Sequence, residues 1–213
     1  MADALPRYPR TPHLPGSPGA TSDDVWCDWA RFTPEPGREL VTTMKMDGAN
    51  TTLHTGGMYG RSPTGRSRPW QSRMRAFAAA VCPSIPRGFR VCGEDLTVPH
   101  SLDYERQLPP FMVFSVWEGD DCLAWEETEA WAGMLGLSTV PVLARGPRPQ
   151  DPRHLREAFD RRTDTAWDEG FVVRDGQGFA RAEFTVRVAK WVRAGRVRTG
   201  SRWPTDNPLR DIA

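Results

Sequence analysis

Lysine is nearly missing from this chain. Of its 28 basic residues, 26 are arginine and two, Lys45 and Lys190, are lysine. Arginine stays charged in a protein, whereas a lysine amine whose pKa is lowered can lose its proton and attack an electrophile. The two surviving lysines are therefore the positions to explain. Cysteine is sparse as well: Cys27, Cys82, Cys92 and Cys122 include no C-x-x-C pair. That spacing excludes zinc-type motifs and reads as reduced intracellular thiols rather than a disulfide framework. There is no run of about 18 apolar residues, so no membrane span is expected. The first 20 residues are broken by five prolines and lack an apolar h-region, so no signal peptide is expected and the chain reads as cytoplasmic. A net charge of +1 excludes global attraction to a polyanion and leaves any such site to local clustering.

With 213 residues, 38% hydrophobic and 26% charged, the composition fits a globular protein of one domain with small appendages. Residues 1–24 are rich in Pro and Gly and read as an irregular arm, 25–203 as the body and 204–213 as a tail. "ELVTTMKM" and "ANTTLHTGGMYGRS" are rich in Thr and apolar residues and broken by Gly, which predicts a hairpin-like pair of strands. "SRPWQSRMRAFAAAV" predicts a helix with Ser67 as its cap, ending before Pro83. "GFRVCGEDL" and "FMVFSVWEG" read as strands, the second buried, with Phe111 in the core. "DCLAWEETEAWAGMLGL" reads as a helix with Trp125, Trp131 and Leu135 on one side. "DPRHLREAFDRR" opens with the Asp-Pro pair of a helix start. "DEGFVVRDGQGFAR" predicts a hairpin around Asp175-Gly176, and "EFTVRVAKWVR" a last strand. Strands and helices without regular βαβ alternation predict an α+β fold with mostly antiparallel sheet.

The chemistry gathers in short blocks. "KMDGAN" ends a strand on Lys45, with Gly48 expected to let the backbone turn away so that the amine faces an open pocket. Asn50 carries an amide suited to ribose or phosphate, or to capping a turn. "YGRS" carries Arg61, whose fork suits phosphate, followed by Arg66 and Arg68, which read as surface charge. "VCGEDL" places Glu94 at a strand end, with Asp95 the weaker neighbour. "FMVFSVWE" carries Phe114, "DEGFVVR" carries Glu169 beside Asp168, and "RVAKWVR" carries Lys190. Residues 181–202 hold seven basic residues and one acid, with Trp191 and Trp203 interleaved or adjacent. That pattern suits a nucleic-acid strand through phosphate contacts and stacking, with Arg187 and Arg193 available to its backbone. His13, in the arm, reads as structural.

In their order, these blocks resemble the ATP-dependent polynucleotide ligase and mRNA-capping superfamily of covalent nucleotidyltransferases, and most of all the RNA ligase 2 type of nick-sealing RNA ligases. The resemblance implies a nucleotidyltransferase domain of antiparallel sheets and helices around an ATP cleft. It implies that Lys45 attacks the α-phosphate of ATP and holds AMP as a phosphoramidate. It gives Asn50 and Arg61 contacts to the nucleotide, Glu94 the ribose, Phe114 a stack on adenine, Glu169 a Mg²⁺ (or Mn²⁺) and Lys190 the α-phosphate. Lys190 is also expected to lower the pKa of Lys45. The chain departs from the pattern in two places: Ser115 stands where a carboxylate commonly follows the aromatic, and Met44 where the RNA ligase 2 type often has a polar adenine contact. Adenine selection is then expected to lean on backbone groups and Phe114. The few residues after Lys190 leave no room for the usual further C-terminal domain, so the expectation is a minimal ligase or one needing a partner protein. The expected substrate is RNA, as nicked duplex or broken ends. The alternatives are a capping-type guanylyltransferase, a DNA ligase, or a nucleotide- or RNA-binding module without strand joining.

Overall fold

The structure, a computed structural model, describes residues 5–33, 37–64, 69–97, 104, 108–162 and 169–194. In chain order its elements are β1 (Glu39–Lys45), β2 (Ala49–His54), β3 (Gly57–Gly60), α1 (Ser72–Val81), β4 (Phe89–Asp95), β5 (Phe111–Glu118), β6 (Asp121–Cys122), α2 (Trp125–Met134), β7 (Ser138–Thr139), β8 (Val142–Pro147), α3 (Arg153–Asp160), β9 (Gly170–Asp175), β10 (Phe179–Ala180), α4 (Phe184–Arg187) and β11 (Val188–Val192). The described strands form two sheets. One has four strands in the order β11-β9-β1-β8, and the other seven, with β10-β6-β5-β4-β2-β3 in line and β7 beside β5. Every pairing is antiparallel except β5 with β7. This is the α+β class expected.

The strand pairings differ from the expected hairpins in two places. β1 and β2 do not pair: β1 lies between β8 and β9 in the small sheet, while β2 pairs with β3 and β4 in the large one. The hairpin lies wholly within the second stretch, between β2 and β3. β9 and β10 also part, since β10 pairs with β6. The Asp175-Gly176 turn instead carries the chain from one sheet to the other. An Asp175 carboxylate oxygen accepts from Arg38 and from Arg187, each at 3.0 Å. Its other oxygen accepts the Gln177 N–H at 3.0 Å. A buried carboxylate satisfied on this many sides fixes the crossing more firmly than a two-residue hairpin turn could.

Three further readings change. The expected last strand begins as the short helix α4, and Arg187 is spent on its ion pairs with Asp175 and Glu183 rather than facing a substrate. Trp191 is core: its ring stacks on Phe171 with centroids 5.7 Å apart in a cluster with Leu14, Trp29 and Phe32. In α2, Trp125 and Trp131 serve different cores, because six residues carry a helix about one and two-thirds turns. Trp125 packs with Val41 and Met44, while Trp131 packs with Leu135 against the cluster around Val91 and Val113. α1 starts at Ser72 after a 3-10 turn and gives way at Cys82 just before Pro83, whereas Ser67 lies outside the described residues.

The arm is tied to the body. Leu14 N–H donates to the Lys190 carbonyl at 2.7 Å, Lys190 N–H to Pro12 at 2.9 Å and Gly19 N–H to Val192 at 3.0 Å. These bonds satisfy the outer edge of β11, which would otherwise be an open sheet edge.

Candidate active site

Strand register explains how the two lysines meet. On β1, Lys45 is paired with Gly170 of β9. On β11, Lys190 is paired with Val172 of the same strand. Side chains two apart on a strand share a face, so Gly170 and Val172 place Lys45 and Lys190 on one face of the small sheet, on either side of β9. Gly170 is needed there: a Cβ on it would meet the Trp191 carbonyl oxygen at 2.0 Å.

The charges around Lys45 are mostly acidic. Its ammonium donates to Glu169, the residue just before β9. Burial works against that ammonium, yet Glu169, Glu94 and Asp47 together hold its pKa above the ordinary lysine value. This reverses the expected lowering. Lys190 carries the opposite shift, pushed down by burial and then by the Lys45 charge. The lysine–lysine repulsion therefore falls on the partner with fewer carboxylates beside it. Burial also pushes Glu94 up to about 8, with Lys45 opposing and Glu169 and Asp47 reinforcing. Glu169 is likewise raised by burial, against the pull of Lys45.

The large sheet supplies the facing wall. Asn50 and Glu94 are cross-strand partners on β2 and β4, and both line a cavity of about 270 Å³ with Lys45, Arg61, Phe114 and Lys190. The Asn50 side-chain carbonyl is buried without a hydrogen-bond partner, leaving an acceptor free for a ligand. Asp95 points the other way, as strand alternation requires, and its carboxylate accepts from Thr97 N–H and Oγ1 at 2.9 and 2.6 Å. Gly48 has a different use from the one expected. Its value is close approach: a Cβ there would meet the Asp95 carbonyl oxygen at 2.4 Å and Glu94 Cγ at 2.9 Å.

Phe114 sits at a β-bulge. The β4–β5 ladder passes from Cys92–Ser115 directly to Gly93–Val113, so Phe114 has no partner. Such a bulge re-aims side chains, and consecutive residues Phe114 and Ser115 both line the cavity. Ser115 accepts the Trp117 indole N–H at 3.1 Å. Its place is in an aromatic cluster where a carboxylate's charge would be costly.

Several site residues are not apparent from the sequence. Tyr8, Pro9 and Thr11 of the arm line the cavity. Lys190 Nζ lies 3.9 Å from Asp24, whose other oxygen is 3.4 Å from His13 Nε2, while His13 Nδ1 meets Ser17 Oγ at 2.8 Å. Burial and then the Lys190 charge lower His13 to a pKa of about 4, so it is neutral at pH 7. Asp47 acts electrostatically on Lys45 and donates its N–H to the Tyr104 hydroxyl at 2.7 Å. The acid and aromatics spaced along the Pro-rich arm were the only available signal. Arg193 pairs with Asp160 at 3.7 Å and lies over the Phe159 ring. Arg66, Arg68, Asp168, Trp203 and the basic residues beyond 194 lie outside the described residues.

The sequence profile of the RNA ligase family matches residues 38–192. This chain belongs to the RNA ligase family. The matched span runs from the start of β1 to the end of β11 and holds Lys45, Asn50, Arg61, Glu94, Phe114, Glu169 and Lys190, while the arm lies outside it. Among solved structures of RNA ligases, one of the Naegleria gruberi enzyme with ATP and manganese is similar, at 16% identity and a TM-score of 0.53, over 74% of this chain and 49% of that one. The same enzyme with pyrophosphate matches at 17% identity and a TM-score of 0.54, over 74% and 50%. An archaeal ATP-dependent RNA ligase matches at 21% identity and a TM-score of 0.55, over 73% and 43%. At these identities the likeness shows the fold, and the chain spans half or less of those relatives' length. No curated protein matches.

Proposed function

We propose that this chain is an ATP-dependent RNA ligase of the RNA ligase 2 type, with Lys45 as its nucleophile. The observation that carries the reading is the register of β9, which sets the chain's two lysines on one face at a cavity shared with Asn50, Glu94 and Phe114. The Lys45 amine, once deprotonated, would attack the α-phosphorus of ATP, forming an N–P bond as the bond to pyrophosphate breaks. AMP would then pass to an RNA 5′-phosphate, freeing Lys45. A neighbouring 3′-hydroxyl would attack that phosphate and expel AMP, sealing the strand. Lys190 would balance charge on the α-phosphate, Glu94 and Asn50 would meet the ribose, Arg61 a phosphate, and Phe114 the base.

The residues fit a divalent cation. Burial raises the pKa values of Glu94 and Glu169 beside the Lys45 ammonium; Asp47 adds to both and Glu169 to that of Glu94, an excess of negative charge that a cation relieves. Among the described residues no group of three or more metal-ligating side chains is assembled, which suits Mg²⁺ or Mn²⁺ held by Glu169 and by the nucleotide's own phosphates. When bound, the cation would neutralise the carboxylate that keeps Lys45 protonated and screen the phosphates. The biological setting we favour is RNA repair in the cytoplasm, in keeping with four buried free cysteines. A partner protein would add to the grip on the RNA.

Labelled ATP or GTP with Mg²⁺ tests this directly. The expected result is covalent label from ATP, absent in Lys45→Arg, followed by sealing of nicked RNA. Label from GTP alone would make it a guanylyltransferase, sealing confined to DNA a DNA ligase, and no adduct at all a binding module.

A further inference from the structure

The arm lies outside the span matched to the RNA ligase family, yet it enters the cavity. Tyr8 packs edge-on against Phe114, with ring centroids 5.2 Å apart and planes at 71°. It meets Phe184 in the same manner at 5.6 Å and Trp117 at 6.4 Å. Burial holds the pKa of its phenol above the ordinary tyrosine value. Ser115 is the residue that stands in place of the usual carboxylate. A neutral hydroxyl there accepts the Trp117 indole N–H, whereas a carboxylate would carry a charge into the aromatic cluster.

The arm's backbone spans both sheets at residues of the site. Tyr8 N–H donates to the Arg61 carbonyl at 3.1 Å, and Arg61 Nη2 returns a bond to the Pro9 carbonyl at 3.4 Å. Four residues on, Pro12 and Leu14 bracket the Lys190 backbone on β11. Tyr8 is therefore held at both its main chain and its ring. The cavity is open with the ring in place, so the ring forms a wall and does not fill the space. Six of the lining residues, Tyr8, Phe114, Cys122, Val172, Phe184 and Val188, pack together as one apolar cluster. Of the charged lining residues, Lys45, Lys190 and Glu94 stand outside that cluster, while Arg174 lies over its Phe179 ring at 5.5 Å.

We infer that Tyr8 is a nucleobase-positioning residue: it fixes the angle of the Phe114 ring and walls the apolar part of the cavity, so that the arm belongs to the nucleotide site. The ligand class is a purine nucleoside triphosphate, and the inference rests on the proposed ligase reading for the identity of that nucleotide. An edge-on aromatic partner holds a ring in one orientation without covering its free face, the arrangement a stacked base needs.

The test is ATP binding and self-adenylylation of the full chain carrying Tyr8→Ala, Tyr8→Leu or Tyr8→Phe. Tyr8→Ala is expected to raise the ATP KM and dissociation constant roughly tenfold, the scale of one aromatic contact, with a much smaller change in kcat. Inhibition by tripolyphosphate, which has no base, stays at the wild-type value. Tyr8→Phe, keeping the ring and its edge-on contacts, stays close to the wild-type value. If Tyr8→Ala fails to fold, Tyr8→Leu replaces the ring by apolar bulk and carries the same expectation. Wild-type ATP affinity in the Ala or Leu variant overturns the inference, and so does tighter ATP binding, which would make Tyr8 a plug. An equal loss of ATP and tripolyphosphate binding also overturns it, since the arm would then act on the whole cleft. Absence of any wild-type adduct sinks the ligase reading alone, because the dissociation constants still decide the role of Tyr8.

Discussion

The Lys45 ammonium donates its hydrogen bond to Glu169, the residue immediately ahead of the strand that separates the two lysines. The proposed nucleophile is thereby stored in its unreactive, protonated form, its pKa raised against the opposing effect of burial. Since only the free amine attacks, self-adenylylation should speed up as pH rises towards that raised value. Glu169→Gln removes the supporting charge, so the rising limb of a single-turnover rate against pH should move to lower pH, with a lower plateau if Glu169 also holds the cation. A limb that stays in place means Glu169 does not set the Lys45 charge. The raised-pKa contribution of Lys45 is fully present below the ordinary lysine value and disappears only as pH climbs through the raised one.

Glu94 contributes to stability in the same sense, over a lower range of pH. Its pKa is pushed up to about 8, so the folded state prefers the neutral acid. The stability this gives is complete below the ordinary glutamate value and is lost as pH rises to about 8. Glu94→Gln, which cannot ionise, should therefore melt at the wild-type temperature near pH 4 and at a higher temperature at pH 8. Each kcal/mol gained corresponds to about 2–4 °C in a domain of this size. ATP affinity should fall in the same variant. Melting curves at the two pH values, with an ATP titration, read both effects, and a gap that does not widen with pH would show that Glu94 is not carrying the strain.

Gly48 links packing to the site. Ala at this position must displace the Asp95 carbonyl and Glu94 Cγ, and main chain in the middle of a sheet yields poorly. Gly48→Ala should cost about 1–3 kcal/mol, the usual range for overpacking, and weaken ATP binding by shifting β4 relative to Lys45. Denaturant unfolding with an ATP titration checks it, and unchanged affinity in a folded variant would show that β4 can move without consequence.

The antiparallel α+β class was readable from Thr-rich alternating runs, and Lys45 and Lys190 from their rarity. The sheet partners were not readable. Gly48 and Asp175-Gly176 look locally like hairpin turns, but each carries the chain between sheets, because the partners of β1 and β10 come from residues 142–147 and 121–122. Trp191 and Arg187 have the composition of a nucleic-acid surface and are spent on the core and on Asp175, a difference that only burial reveals. The raised pKa of Lys45 follows first from Glu169 and Glu94, both distant in sequence, with Asp47 two residues on adding to them, and no local pattern encodes the sum. Tyr8 and Asp24 reach the site through contacts with residues more than a hundred positions away, beyond any motif.

The hydrogen bonds between residues 12–19 and Lys190 to Val192 have a kinetic meaning. The arm leaves the ribosome ahead of its sheet partner β11, which follows about 175 residues later, the separation of the Ser17 hydroxyl from the Val192 backbone. Contacts of such sequence range form late and slowly. The cavity wall formed by Tyr8 can close only after β11 has been synthesised and docked. A nascent chain that already carries Lys45 and Glu94 is therefore still without a finished cavity, and the proposed reaction with ATP would wait for β11 to dock.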